Sequence, residues 1–160
     1  MVAQGDYIFF LNNDTEVHPA MLEELWKAIH ANSHEVGFWT IKMLGWGRRD
    51  VVDNCGCGYS AFGAGYQIGV GEPDESSSGR KMVFGASGGA GCYQKSVLDD
   101  IGLFDEDFFY NNEDADLSFR AQLAGYQCHF VPRAKTYHRG SATSGATSDQ
   151  TIYHIQRNSE

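Results

Sequence analysis

YIFFLNNDTEVHP, residues Tyr7 to Pro19, passes from an unbroken apolar run to two amides and a carboxylate before a proline opens the next segment. The run Tyr7 to Leu11 reads as a buried strand, rich in aromatic and branched side chains. Asn and Asp at its end have an ordinary explanation, because both bond their own backbone in turns and cap helices. They also have a chemical one. Ligands of open α/β sheets gather at the carboxyl ends of the strands, which is where Asp14 falls.

Working outward, the chain alternates strands and helices. Pro19 suits a first helical position, and Leu22, Leu25, Trp26 and Ile29 follow at the spacing of one helical face. Val36 to Leu44 predicts a second strand. The Gly-rich stretch from Gly45 to Gly79 holds a hairpin around Tyr59 to Tyr66 and a polar, mobile end from Glu72 to Gly79. Lys81 to Gly85 and Cys92 to Gln94 read as short strands, and Ser96 to Ile101 as a short helix stopped by Gly102. NNEDADLSFRAQLAGY then has the grammar of a helix: Asn111 or Asn112 as cap, Glu113 and Asp114 in the first turn, Leu117, Ala121 and Ala124 as the buried stripe, Gly125 as the stop. Two strands follow, Cys128 to Val131 and Lys135 to His138, broken at Pro132. Gly140 to Asp149 is loop chemistry. Val2 to Gly5 resembles the last turn of a helix, and Thr151 to Asn158 begins an amphipathic pattern.

Composition bounds the function. A chain of 160 residues can bury about 70% of its unfolded surface in one domain. Its formal charge of -9, with no basic run, argues against a nucleic-acid footprint or an anionic membrane surface, so an anionic ligand would need a metal to help. Cys55, Cys57, Cys92 and Cys128 lack zinc-site spacing and are too sparse for a disulfide scaffold. They are expected to be reduced and packed, in a cytoplasmic protein. No apolar run reaches the roughly 18 residues of a membrane span.

GDYIFFLNNDTEVHP, together with FGASGGAGCYQKSVLDDIGLFDEDFFYNNEDADLSFRAQLAGYQCHFVPRAKTYHRGSAT, resembles the catalytic half of the family 2 glycosyltransferases, in their rhamnosyltransferase-like branch. Three separated elements stand in the family's order: a DxD-type turn after a strand, a Glu-Asp pair opening a helix, and a histidine ending a later strand. The resemblance implies an α/β fold of GT-A type, a mixed sheet flanked by helices, here without the N-terminal strand-helix-strand unit that holds the nucleotide base. Its parts would be 1–44 with the DxD-type strand, 45–80 as a Gly-rich excursion, 81–139 as the acceptor and catalytic part, and 140–160 as a loop and truncated helix. A sheet cut in this way is expected to expose an edge through which copies of the chain could pair, a state that light scattering would read.

The resemblance also assigns roles. Asp14 fills the last DxD position and, with His138, would hold Mn or Mg against the diphosphate of a nucleotide diphosphate sugar. Asn12 stands where the family has Asp; it and Asn13 would contact the donor. Asp114 would be the base that deprotonates a glycan or lipid-linked acceptor, with Glu113 binding acceptor hydroxyls. Gly88 and Gly89 would let backbone approach the sugar. Asp116 belongs instead to a structural pair with Arg120, four residues on. The Gly85 to Gly91 loop lacks the ending of a phosphate loop, and Gly56 to Ala61 lacks the helix of a dinucleotide fingerprint. The alternative to an enzyme is a sugar-binding or scaffolding domain without catalysis.

Overall fold

The computed structural model describes residues 3–31, 35–61, 63, 65–79, 81–108, 111–140, 149, 153, 157 and 158. Most of the expected 140–160 loop and helix, and Val2 of the N-terminal turn, lie outside these residues. The elements run β1 (Tyr7–Leu11), β2 (Thr15–Val17), α1 (Met21–Ala31), β3 (Val36–Gly45), β4 (Val52–Asn54), β5 (Cys57–Tyr59), β6 (Gly65–Gln67), β7 (Met82–Val83), β8 (Ala90–Gln94), α2 (Lys95–Ile101), α3 (Glu113–Leu123) and β9 (Gln127–His138). The main sheet is mixed, in the order β1-β8-β3-β9-β2, with β4 added to β3 and β7 to β9. Helices flank it, as the GT-A-like expectation requires.

β3 is the centre because its sequence tolerates nothing else. Residues 36–44 are all buried, and successive side chains alternate between two apolar layers. Trp39, Ile41 and Met43 pack with Met21 and Leu25 of α1, whereas Phe38 packs with Val97, Leu98, Leu117 and Ala121 of α2 and α3. On the same side as Phe38, Leu44 meets Val52, Cys55 and Phe130. β3 runs parallel to β9 and antiparallel to β8.

Several expectations need correction. The buried stripe of α1 is Met21, Leu25, Ala28 and Ile29, while Leu22 is 66% and Trp26 57% exposed. Both sets have helical spacing; the observed one begins a residue earlier and uses the small Ala28, which lets the helix approach the sheet. Pro132 does not break the last strand in two. β9 is continuous, and its register against β3 jumps from Ile41↔Val131 to Lys42↔Lys135, so residues 132–134 form a bulge that requires no N–H from the proline.

The end of the Gly-rich excursion is anchored. Asp74 to Gly79 form a 3-10 turn, and the Asp74 carboxylate lies 2.6 Å from Lys42 Nζ and 2.5 Å from Lys135 Nζ, the two residues that resume the β3–β9 pairing after the bulge. Lys42 is only 1% exposed, and it also donates to the Asp74 carbonyl at 2.8 Å. The four cysteines are free and buried, as expected. No helix among the described residues is long and apolar enough to cross a membrane.

Partial burial raises the Asp74 carboxyl, but Lys135 and Lys42 together outweigh it and hold the group below its ordinary value. A depressed carboxyl contributes stability that is present above its unfolded value and lost as pH falls through the folded one. Asp74→Ala, which strands the Lys42 ammonium, is expected to cost about 3 kcal/mol in urea unfolding at pH 7, and the deficit relative to wild type should shrink below about pH 4. A loss within 0.5 kcal/mol would show that the anchor is dispensable.

Candidate active site

The turn after β1 and the end of β9 are brought together by β2. Thr15 pairs with His138 in antiparallel register, and the Arg139 N–H donates to the Asp14 carbonyl at 3.1 Å. Thr15 Oγ1 donates to the Asn12 carbonyl at 2.7 Å and tightens the turn. As a result His138 Nε2 sits 3.2 Å from Asp14 Oδ1 and 3.4 Å from Asn12 Nδ2. The other ring nitrogen, Nδ1, sits 2.8 Å from Asp53 Oδ2 of β4. The Asp53 hydrogen bond, reinforced by the charges of Asp53 and Asp14, raises the imidazole above its ordinary value against the burial that lowers it.

Among the described residues no three His, Cys, Asp or Glu side chains converge as a ready metal cluster. Asp14 and His138 nevertheless form a pair of hard and borderline donors whose facing atoms are 3.2 Å apart. Adjacent donors of an octahedral cation bound at about 2.1 Å are roughly 3 Å apart, so the pair fits a Mn or Mg ion that shares its shell with phosphate oxygens and water.

The second half of the site begins at α3. Asn111 and Asn112 precede it with φ of 66° and 68°, and Asn112 makes no side-chain cap bond. The expected Asn cap is therefore present by position but acts differently. Asn is used here because it tolerates left-handed backbone, which turns the chain into the helix at Glu113. Asp114 Oδ2 accepts from the Gly88 N–H at 2.9 Å, and Oδ1 from the Ala115 N–H at 2.8 Å. Burial raises the Asp114 carboxyl; those two bonds and its own backbone N–H only partly offset it. Glu113 is raised by burial and then by the charge of Asp114, and its Oε2 is buried without a hydrogen-bond partner among the described residues.

The turn at Gly88 and Gly89 joins the two halves. Gly89 accepts from the Asn12 N–H at 3.0 Å, and a Cβ there would meet Asn12 Nδ2 at 3.0 Å. A Cβ on Gly88 would meet Asp114 Cβ at 3.2 Å and Glu113 Oε1 at 3.4 Å. A side chain at either position would crowd its neighbours. Beside the turn opens a cavity of about 730 Å³, lined by Phe10, Gly88, Phe104, Asp105, Glu106 and Glu113 among others.

Of the residues singled out from sequence, Asn12, Asp14 and His138 meet directly, and Gly88, Gly89, Glu113 and Asp114 form the adjoining group. Asn13 lies in the same turn, with no side-chain contact in the described site. Asp116 pairs with Arg120 at 2.7 Å, as expected, and Arg120 also donates to the Ile101 and Leu103 carbonyls. Asp53 was missed. It sits inside the Gly-rich stretch with no motif around it, and only the β3–β4 pairing reveals where it points. Cys57 lies behind Asp114, where burial, then the Asp114 charge, push its thiol up to about 12, so it is a packing group.

The family model described as glycosyl transferase family group 2 matches residues 7–156. A search of curated proteins finds no match to the chain. Because both carboxyls of α3 are raised, the folded state is fully stable below their unfolded values and loses stability as pH climbs through the folded ones. Glu113→Gln is expected to stabilise the protein at pH 7 and to have little effect at pH 4, read by urea unfolding. Equal effects at both pH values would contradict the buried repulsion.

Proposed function

We propose that this chain, which belongs to family group 2 of the glycosyltransferases, transfers a sugar with inversion from a nucleotide diphosphate donor to a hydroxyl of a glycan or lipid-linked acceptor. Family membership supports glycosyl transfer over a sugar-binding or scaffolding domain without catalysis. Thymidine or uridine diphosphate sugars are the donors we propose, with rhamnosyl transfer in cell-surface polysaccharide synthesis as the specific reading.

One observation supports the mechanism: the Gly88–Gly89 turn touches Asn12 on one side and Glu113–Asp114 on the other, so the Asn12–Asp14–His138 group and a buried carboxylate flank one glycine turn, and Gly88 and Glu113 also line an open cavity. Asp14 and His138 would hold Mn or Mg, which when bound would neutralise charge developing on the departing diphosphate. Asn12 and Asn13 would contact the donor, and the side-chain-free turn would let the sugar lie against backbone.

Across that turn Asp114 would take the proton of the acceptor hydroxyl. The acceptor oxygen then bonds the anomeric carbon while the carbon–phosphate oxygen bond breaks and its electron pair leaves with the diphosphate. Inversion follows from this single displacement. The N-terminus of α3 weakens a carboxylate base through the helix dipole, but burial has the larger effect and leaves Asp114 a better proton acceptor than a surface aspartate. Glu113 lines the cavity, where its carboxylate would bind acceptor hydroxyls.

Asp114→Asn is expected to lower transfer by about 10²- to 10⁴-fold while Mn²⁺ binding, measured by calorimetry, persists. Unchanged turnover would remove Asp114 as the base. Loss of Mn²⁺ binding in Asp14→Ala, but not in Asp114→Asn, would place the cation at the other half of the site.

A further inference from the structure

His138 presents two ring nitrogens to two acids from different parts of the chain. Nδ1 lies 2.8 Å from Asp53 Oδ2, at a good hydrogen-bond distance, whereas Nε2 lies 3.2 Å from Asp14 Oδ1 and 3.4 Å from the Asn12 amide nitrogen. An ionised carboxylate can only accept, so the shorter contact places a proton on Nδ1. In the neutral ring Nε2 then carries a lone pair, directed at an amide donor and a carboxylate oxygen. A lone pair and a carboxylate oxygen do not bond each other; a proton satisfies both when the ring is charged, and a metal cation between them satisfies both when it is neutral.

Asp53 is well held for such a task. It belongs to β4, whose neighbour Asn54 pairs with Met43 of the central strand. The Val52 N–H donates to the Glu72 carbonyl at 2.8 Å, and the Asp74 N–H donates to the Asp50 carbonyl at 2.8 Å. Through Asp74 the segment is tied to Lys42 and Lys135. The strand carrying Asp53 is thus held by its sheet pairing and an ion-paired turn, and Arg49 ties the same segment to Glu16 beside the Asp14 turn at 2.9 Å.

We propose that Asp53 is a positioning residue: it holds His138 as the Nδ1–H tautomer and aims Nε2, beside Asp14, at a divalent cation. The proposal rests on reading Asp14 and His138 as the cation-binding pair. Its chemistry is that of a carboxylate–histidine–metal relay, in which the outer acid sets ring orientation and raises the basicity of the ligating nitrogen. The Gly-rich excursion then becomes the third wall of the site, because it alone supplies the outer acid.

The test measures the ring as well as the ion. Long-range ¹⁵N–¹H correlation spectra of histidine-labelled protein, at alkaline pH where imidazole is neutral, are expected to show His138 as the Nδ1–H form. Asp53→Ala should shift it toward Nε2–H and weaken Mn²⁺ binding, by calorimetry, about 10- to 100-fold. Asp53→Asn keeps a carbonyl acceptor and should retain the Nδ1–H form and most of the affinity; it also serves if the alanine variant fails to fold. An Nε2–H tautomer in the wild type, or an unchanged tautomer and affinity in Asp53→Ala, would overturn the proposal. Absence of Mn²⁺ binding by the wild type would instead overturn the cation reading of Asp14 and His138, and with it the cation half of this proposal, while the spectra would still decide whether Asp53 controls the ring.

Discussion

A single carboxylate shared by two lysines holds the site's architecture together. Lys42 and Lys135 become neighbours only because β9 bulges by three residues after Val131 and then resumes pairing with β3. That leaves a buried ammonium on the face of the sheet opposite α1, and burial without a partner would cost several kcal/mol. Asp74 supplies the partner from the far end of a long excursion. Satisfying one charge therefore fixes where the excursion returns, and with it the placement of β4 and of Asp53.

The same economy of contacts governs the other half. Glu113 and Asp114 need to be buried to be raised, yet a loop that buried them under side chains would also close the cavity. The Gly88–Gly89 turn resolves the conflict by covering Asp114 with a backbone N–H and nothing larger. It also explains why the motif fails as a phosphate loop. Its amides serve a carboxylate and the turn's own Ser87 hydroxyl, which accepts from the Gly89 N–H at 3.3 Å, so they are not free to cradle an anion.

Much of this was legible in the sequence because the signals were local. A run rich in β-branched and aromatic residues at Val36 to Leu44 announces a strand; Gly102 and Gly125 mark the ends of α2 and α3, where the backbone has φ of 84° and 92°. Asp14, Asp114 and His138 each stood at an element boundary, where a change of periodicity could be seen. What could not be read were relations set by register. The bulge at Pro132 looked like a strand break because sequence shows the missing N–H but not whether the ladder needs it. The stripe of α1 was displaced because two sets of residues had the right period, and only packing against Trp39 and Met43 chooses between them. Glu72 to Gly79 read as mobile because its polar composition gave no sign of two lysines, from different strands, waiting for Asp74.

The acid-rich composition acquires its meaning from environment. A formal charge of -9 is a poor start for a protein proposed to handle a diphosphate. The structure divides the acids of the site into two kinds. Asp14 and Asp53 face the two ring nitrogens of one imidazole, which draws both carboxylates to a single point. Glu113 and Asp114 have no cationic partner among the described contacts, and burial drives both toward holding a proton. Under the proposed function, identical functional groups on two sides of one glycine turn take opposite tasks, one to attract positive charge and one to accept a proton. Pairs of acids whose surroundings separate them in this way are how one fold assigns different steps of a reaction to the same chemistry. In this chain the separation depends on which carboxylates find a counter-charge and which do not, and the folding of the excursion decides that.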